Sequence, residues 1–213
     1  GVVDETGEII WADQLIALLL PEVIEPGDKI IFDVKCSQAL EDMIKKYKGE
    51  PVMWKTGHSL IKNKMAESNC KLGGEMSGHI FFADDYFGYD DAIYVAARLI
   101  QMLSKTDKTL SELKSVIPIY HSTPEIRLEA ESDEEKFKIA KLAVEYFTEN
   151  HNCNTIDGVR IQYENGWGLV RASNTQPVIV CRFEGDTPER MNEIKNIVLD
   201  KLQEFGTLNI SVH

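Results

Sequence analysis

Gly73-Gly74-Glu75-Met76-Ser77-Gly78-His79 stands immediately before the apolar run Ile80-Phe81-Phe82, so glycines surround a carboxylate, a hydroxyl and an imidazole at the mouth of a strand. Glycine reaches positive φ and lets a backbone come close to a ligand, while Glu and Ser together offer acceptors and a donor suited to a vicinal pair of sugar hydroxyls. Taken alone, the stretch fits two readings equally: a polar recognition loop, or a glycine-rich hairpin with incidental polar residues.

Working upstream, residues 51–55 read as a strand feeding a helix that starts near His58, and 29–34 as an earlier apolar strand. Between them Ser37 caps a helix with Leu40, Ile44 and Tyr47 on one face. Strand, helix, strand, helix predicts a βαβ unit with parallel strands. Before it, Val2-Val3 and Ile9-Ile10 flank a polar turn and predict a short hairpin, followed by a helix over 12–20; the cluster Glu25-Pro26-Gly27-Asp28 then punctuates the chain. Downstream of the loop, 90–104 predicts a helix with Ile93, Ala97, Ile100 and Leu103 facing a core, and 110–116 a shorter amphipathic one.

The prolines of 118–124 mark a second boundary, beyond which the pattern changes. A strand at 125–130 precedes a capping box, Ser132 to Glu135, that opens a helix with Phe137, Ala140, Val144 and Phe147 turned inward. Strands follow at 158–163, 168–171 and 178–183, and Thr187-Pro188 opens a last helix that packs Met191, Ile194, Val198 and Leu202 until Gly206 stops it. The expected fold is a mixed α/β domain over 26–120 and an α+β domain with an antiparallel sheet and two helices over 121–213, with 1–25 the tail of something preceding.

Composition limits the partners. The chain has 213 residues, 23 basic against 35 acidic, for a formal net charge of −12, which opposes non-specific attraction to nucleic acid or anionic membrane. An anionic ligand therefore needs a local basic cluster. No apolar run approaches membrane-spanning length. Cys36, Cys70, Cys153 and Cys181 are widely spaced and form no CxxC pair, which suggests neither zinc nor a disulfide framework and fits a reducing cytoplasm. The first residue is not Met, so a piece of a longer protein is expected.

Two further stretches carry chemistry. Lys55-Thr56-Gly57-His58 lies at the carboxyl end of an expected parallel strand and leads into a helix N-terminus, a setting that favours phosphate; a solvated Lys and a surface His are the alternative. Arg171-Ala172-Ser173-Asn174-Thr175 offers a guanidinium, two hydroxyls and an amide within five residues, the composition of a phosphate clamp. Arg160 and Arg182 read as charges on the sheet surface, and Trp11, Trp54 and Trp167 as covers of core edges.

These three stretches, in this order, resemble the α-D-phosphohexomutases, in particular the bacterial phosphomannomutase/phosphoglucomutase group, and together they span most of the chain. The resemblance implies interconversion of hexose 6-phosphate and hexose 1-phosphate, of mannose or glucose, through a 1,6-bisphosphate. It places Glu75 and Ser77 on hexose hydroxyls, Lys55 near the sugar ring, His79 near the reacting oxygen, and Arg171, Ser173, Asn174 and Thr175 on the phosphate that is not transferred. Imidazole titrates near neutrality, so His79 suits general acid/base catalysis or donation to phosphate, and Lys55 is the other candidate for acid/base work. The family's phosphoserine and its Mg2+ loop of alternating aspartates are not in this sequence. The chain therefore resembles the end of the second domain, the third and the fourth. It is expected to bind hexose phosphate but to need the N-terminal domains, their Mg2+ and a hexose 1,6-bisphosphate activator for turnover. A stand-alone, non-catalytic sugar-phosphate binding module is the alternative.

Overall fold

The computed structural model describes residues 1–173 and 176–210. The chain divides into two compact units, Gly1–Ile119 and Tyr120–His213.

The first unit opens with the hairpin β1 (Val2–Val3) and β2 (Ile9–Ile10) and helix α1 (Ala12–Leu19). Then come β3 (Lys29–Asp33), α2 (Gln38–Lys46), β4 (Glu50–Trp54), α3 (His58–Ser68), β5 (Leu72–Gly74), β6 (Ile80–Phe82), α4 (Ala92–Leu103) and α5 (Leu110–Lys114). The sheet order is β4-β3-β5-β6, with β3 parallel to both β4 and β5, and β6 antiparallel to β5. The parallel centre has the expected signature: Ile30, Ile31 and Phe32 are all buried, because helices cover both faces of such a strand. Residues 1–25 pack within this unit, and Ile16, Leu19 and Leu20 are fully buried.

The α4 face differs from expectation. Val95, Leu99 and Met102 are buried, whereas Ile93 is 84% and Ile100 66% exposed. The helix carries apolar residues on both sides, so helical spacing fits either face.

The second unit comprises β7 (His121–Ser122), β8 (Ile126–Glu129), α6 (Asp133–Asn150), β9 (Asn152–Asn154), β10 (Val159–Tyr163), β11 (Gly166–Ala172), β12 (Val178–Gly185), α7 (Pro188–Phe205) and β13 (Asn209–Ile210). Its antiparallel sheet runs β13-β8-β12-β11-β10-β9, with β7 also on β12. Strand alternation sorts the residues cleanly. Leu128, Val159, Ile161, Val170, Ile179, Cys181 and Phe183 join Ile139, Ala143 and Phe147 of α6 and Ile194, Val198 and Leu202 of α7 in one core. Each such large side chain contributes about 1.5–3 kcal/mol by leaving water, which holds the two helices on that face.

Helix α6 is rotated by one position from the expected register: Lys136, Ile139 and Ala143 are buried beside Phe147, and Phe137 is exposed. Ser132 does cap it, accepting from the Glu135 N–H, but the Glu135 side chain accepts from Glu131 N–H rather than closing the box on Ser132. Arg160 and Arg182, expected as surface charges, are 4% and 6% exposed. Among the described residues no helix is long and apolar enough to cross a membrane.

Candidate functional site

Two polar centres occupy the units, one in each. The first gathers at the carboxyl end of β3, where parallel strands leave loops free to bind. The Glu75 side chain is 3% exposed and stretched between two loops, Oε1 accepting from the Gly57 N–H at 2.9 Å and Oε2 from the Ser77 hydroxyl at 3.1 Å. Gly57 adopts φ 139°, a left-handed setting that glycine enters without strain and that presents its N–H to the carboxylate. The loop closes on itself through Glu75 N–H to the His79 carbonyl and Gly78 N–H to the Glu75 carbonyl.

Asp33, wholly buried, does the same work one layer deeper. Its Oδ1 accepts from the Met76 N–H at 3.1 Å and the Cys36 thiol at 3.2 Å, and its Oδ2 from the Thr56 hydroxyl at 3.1 Å. The Lys35 ammonium, 7% exposed, lies 3.8 Å from Oδ2. Two carboxylates thus bind the 33–37, 55–58 and 75–79 segments into one polar floor.

His79 faces elsewhere. Its Nδ1 is 2.5 Å from Asp90 Oδ2, and its ring centroid is 5.6 Å from that of His58. Asp90 is bridged to Phe81 and is followed by Asp91, which caps α4 by accepting from the Ile93 and Tyr94 N–H groups. The Tyr86 hydroxyl, with those backbone donors, holds the Asp91 carboxyl below its ordinary pKa. Lys55 is exposed at the end of β4, as is Ser77 in its loop.

The second centre lies on the sheet face opposite the helices. Registers place Arg160, Leu169 and Arg182 in one cross-strand row, and Arg171, Val180 and Arg127 in the next, so four arginines share a face. The Arg160 guanidinium lies 3.7 Å from the Trp167 ring centroid, and the Trp167 indole N–H donates to Glu184 at 2.7 Å. Arg171, 6% exposed, donates from Nε to Asp157 at 3.0 Å. Ser173 is 5% exposed, and its hydroxyl accepts from the Gln176 N–H. Asn174 and Thr175 lie outside the described residues. On either side of them, the carbonyls of Ser173 and Gln176 accept from the buried Lys136 ammonium at 3.0 and 2.9 Å.

The structure thus joins Glu75 with Ser77, links His79 to Asp90 and His58, and puts Arg171 and Ser173 in the other unit. Reading the sequence had missed Asp33, Lys35, Asp90, Lys136 and Asp157. Asp33 carried a signal, a lone carboxylate ending the apolar run Ile30-Ile31-Phe32. The Asp157-Gly158 turn pair was another.

Comparisons with known proteins converge. A family profile described as phosphoglucomutase/phosphomannomutase, alpha/beta/alpha domain III, matches residues 11–120, and one described as the C-terminal domain of the same enzymes matches 125–201. A phosphomannomutase/phosphoglucomutase of Pseudomonas aeruginosa is 48% identical over 205 residues, covering 95% of this chain and 44% of that protein. A crystal structure of a phosphoglucomutase/phosphomannomutase family protein from Burkholderia thailandensis superposes with a TM-score of 0.86 at 37% identity, over 98% of this chain and 45% of that one. The N-acetylphosphoglucosamine mutase of Aspergillus fumigatus, solved with GlcNAc-6P and magnesium, shares the fold at a TM-score of 0.68 and 14% identity, over 96% of this chain and 46% of that one. The chain spans less than half the length of these relatives.

Proposed function

The chain belongs to the phosphoglucomutase/phosphomannomutase family, and on that premise we propose that it supplies the sugar-binding and phosphate-binding parts of an isomerase interconverting hexose 6-phosphate and hexose 1-phosphate. In this reading residues 1–25 lead in from a preceding domain, 26–120 hold the sugar and 121–213 hold the phosphate that stays in place. Glu75 and Ser77 orient vicinal hydroxyls. Lys55 stands near the sugar ring. His79, with Nδ1 turned to Asp90, uses Nε2 to take the proton from the hydroxyl that becomes phosphorylated and returns it in the reverse direction. Arg171, Ser173, Asn174 and Thr175 bind the non-transferring phosphate.

The observation that carries this reading is the gathering of four arginines, in two cross-strand rows, on one face of the second sheet. Arg171 is paired through Nε with Asp157 and Arg127 through Nε with Glu125, and the planar donors of this face are what an anion would meet in a chain whose net charge is −12. No group of three or more His, Cys, Asp or Glu among the described residues is placed to hold a metal. The Mg2+ that would neutralise the moving phosphoryl group, and the residue that carries that group from a hexose 1,6-bisphosphate, are assigned to the upstream domains in this proposal, as the family resemblance implies. The four free thiols support a cytoplasmic setting.

A coupled glucose 6-phosphate assay tests the division of labour. The chain alone, given Mg2+ and glucose 1,6-bisphosphate, is expected to bind glucose 1-phosphate by calorimetry without turning it over, and the longer protein to turn it over. Turnover by the chain alone would break the proposal. Silence from the longer protein would leave the non-catalytic binding module as the better reading.

A further inference from the structure

The Asp157 carboxylate meets Arg171 at Nε, not at the terminal nitrogens, over 3.0 Å. Its side chain is 17% exposed and that of Arg171 7%. The approach depends on the next residue. Gly158 adopts φ +74°, and a Cβ there would stand 2.3 Å from the Val170 carbonyl oxygen and 2.7 Å from the Arg171 Cα. Only glycine lets the 157–158 turn press against the backbone of β11 at the point where Arg171 emerges, so this contact is built into the chain's path.

A guanidinium is a rigid plane of five N–H donors. Anchoring that plane at Nε fixes its rotation and directs the Nη pair, which spares a ligand the cost of ordering a long side chain. We propose that Asp157 is a positioning residue for phosphate capture, orienting the Arg171 fork, with Gly158 as the backbone feature that brings it within reach. The inference rests on the reading of Arg171 as a phosphate-binding residue and adds the group that orients it.

Charge alone argues the opposite sign. A carboxylate next to an anion site repels the anion, so deleting it should tighten binding if electrostatics decided the matter. Orientation predicts that deletion weakens binding. The sign therefore separates the two effects.

The test uses the 15N-labelled chain, with the Arg171 Nε–H resonance followed during titration with glucose 1-phosphate and, separately, inorganic phosphate. In the parent this resonance is expected to exchange slowly with water and to shift on adding glucose 1-phosphate. In Asp157→Ala it should exchange quickly, and the dissociation constant for glucose 1-phosphate should rise about fivefold, the scale of the ordering cost of one long side chain. Asp157→Asn keeps an acceptor oxygen at the same reach and should bind to within about twofold of the parent, a rescue that loss of fold would not give. Unchanged or tighter binding by Asp157→Ala, with Arg171→Lys clearly weakened, would overturn the positioning role alone. A parent resonance indifferent to glucose 1-phosphate, or an Arg171→Lys chain that binds as the parent does, would overturn the phosphate-binding reading of Arg171 and this inference with it.

Discussion

The two units solve one problem with opposite charges. In the first, irregular segments present N–H and O–H groups, those of Gly57, Met76, Thr56 and Ser77, and buried carboxylates on Asp33 and Glu75 collect them. In the second, the residues flanking the Arg171 stretch present carbonyls, those of Ser173 and Gln176, and the buried ammonium of Lys136 collects them, with Asp133 at 2.7 Å as its counter-charge. A backbone group taken from water needs a partner, and the sign of the buried charge follows from which group the loop exposes. A buried charge beside a binding loop is thus a clue to how that loop is held as well as to what it binds.

Removing Asp33 should test this most severely. Asp33→Ala strands three donors and leaves Lys35 without that carboxylate, so a loss of about 3–5 kcal/mol is expected in urea unfolding, with faster hydrogen exchange at Met76. A loss below about 1 kcal/mol would show that the loops hold themselves. Lys136→Met should cost about 2–3 kcal/mol in the second unit, since two carbonyls lose a charged donor. If it instead proves neutral, the cation side of the comparison falls. Glu75→Gln keeps size and one acceptor; it should lower stability by about 1 kcal/mol or less and weaken glucose 1-phosphate binding several-fold. A large melting shift with unchanged binding would make Glu75 purely a tie between loops.

Much of the architecture was legible before the structure, because it rests on local signals. The parallel strands, the caps at Ser37, Ser132 and Thr187 and the antiparallel second unit were all anticipated. The misreadings have physical causes. The α6 face shifted because Lys136 finds carbonyl partners inside, allowing a charged residue to take a core position and Phe137 to turn outward. Strands β5, β7, β9 and β13 are too short to carry a period, and their sequences, Leu72-Gly73-Gly74, His121-Ser122, Asn152-Cys153-Asn154 and Asn209-Ile210, lack the contiguous apolar residues that mark β1, β2 and β6. The polar floor around Asp33 was invisible because its partners Thr56 and Met76 are 23 and 43 residues away. The glycine loop, by contrast, announced itself in seven contiguous residues.

The smallest expected effect concerns acid. In the first unit, Asp4, Glu5, Asp84 and Asp91 have carboxyl groups held below their usual range. Glu5 is the furthest displaced, to about 2, chiefly by the Ser111 hydroxyl. A depressed folded-state pKa adds stability that is complete above the unfolded value, 4.5, and is lost as pH falls toward 2. The Glu5 contribution to the first unit should therefore fade in that window. Glu5→Gln should flatten the acid dependence slightly, as read from circular dichroism melts between pH 5 and pH 2.

The second unit contains a single tryptophan, Trp167, fully buried between the Arg160 guanidinium and the Glu184 carboxylate, while Trp11 in the first unit is 55% exposed. Trp167 is therefore shielded from water and set in a fixed field, Trp11 is bathed in solvent, and Trp54, also in the first unit, is half-buried beneath the Lys64 ammonium. Excited at the red edge of absorption, Trp167 should emit to the blue of Trp11. The chain carries its own optical gauge, by which the melting of each half can be followed separately without a label.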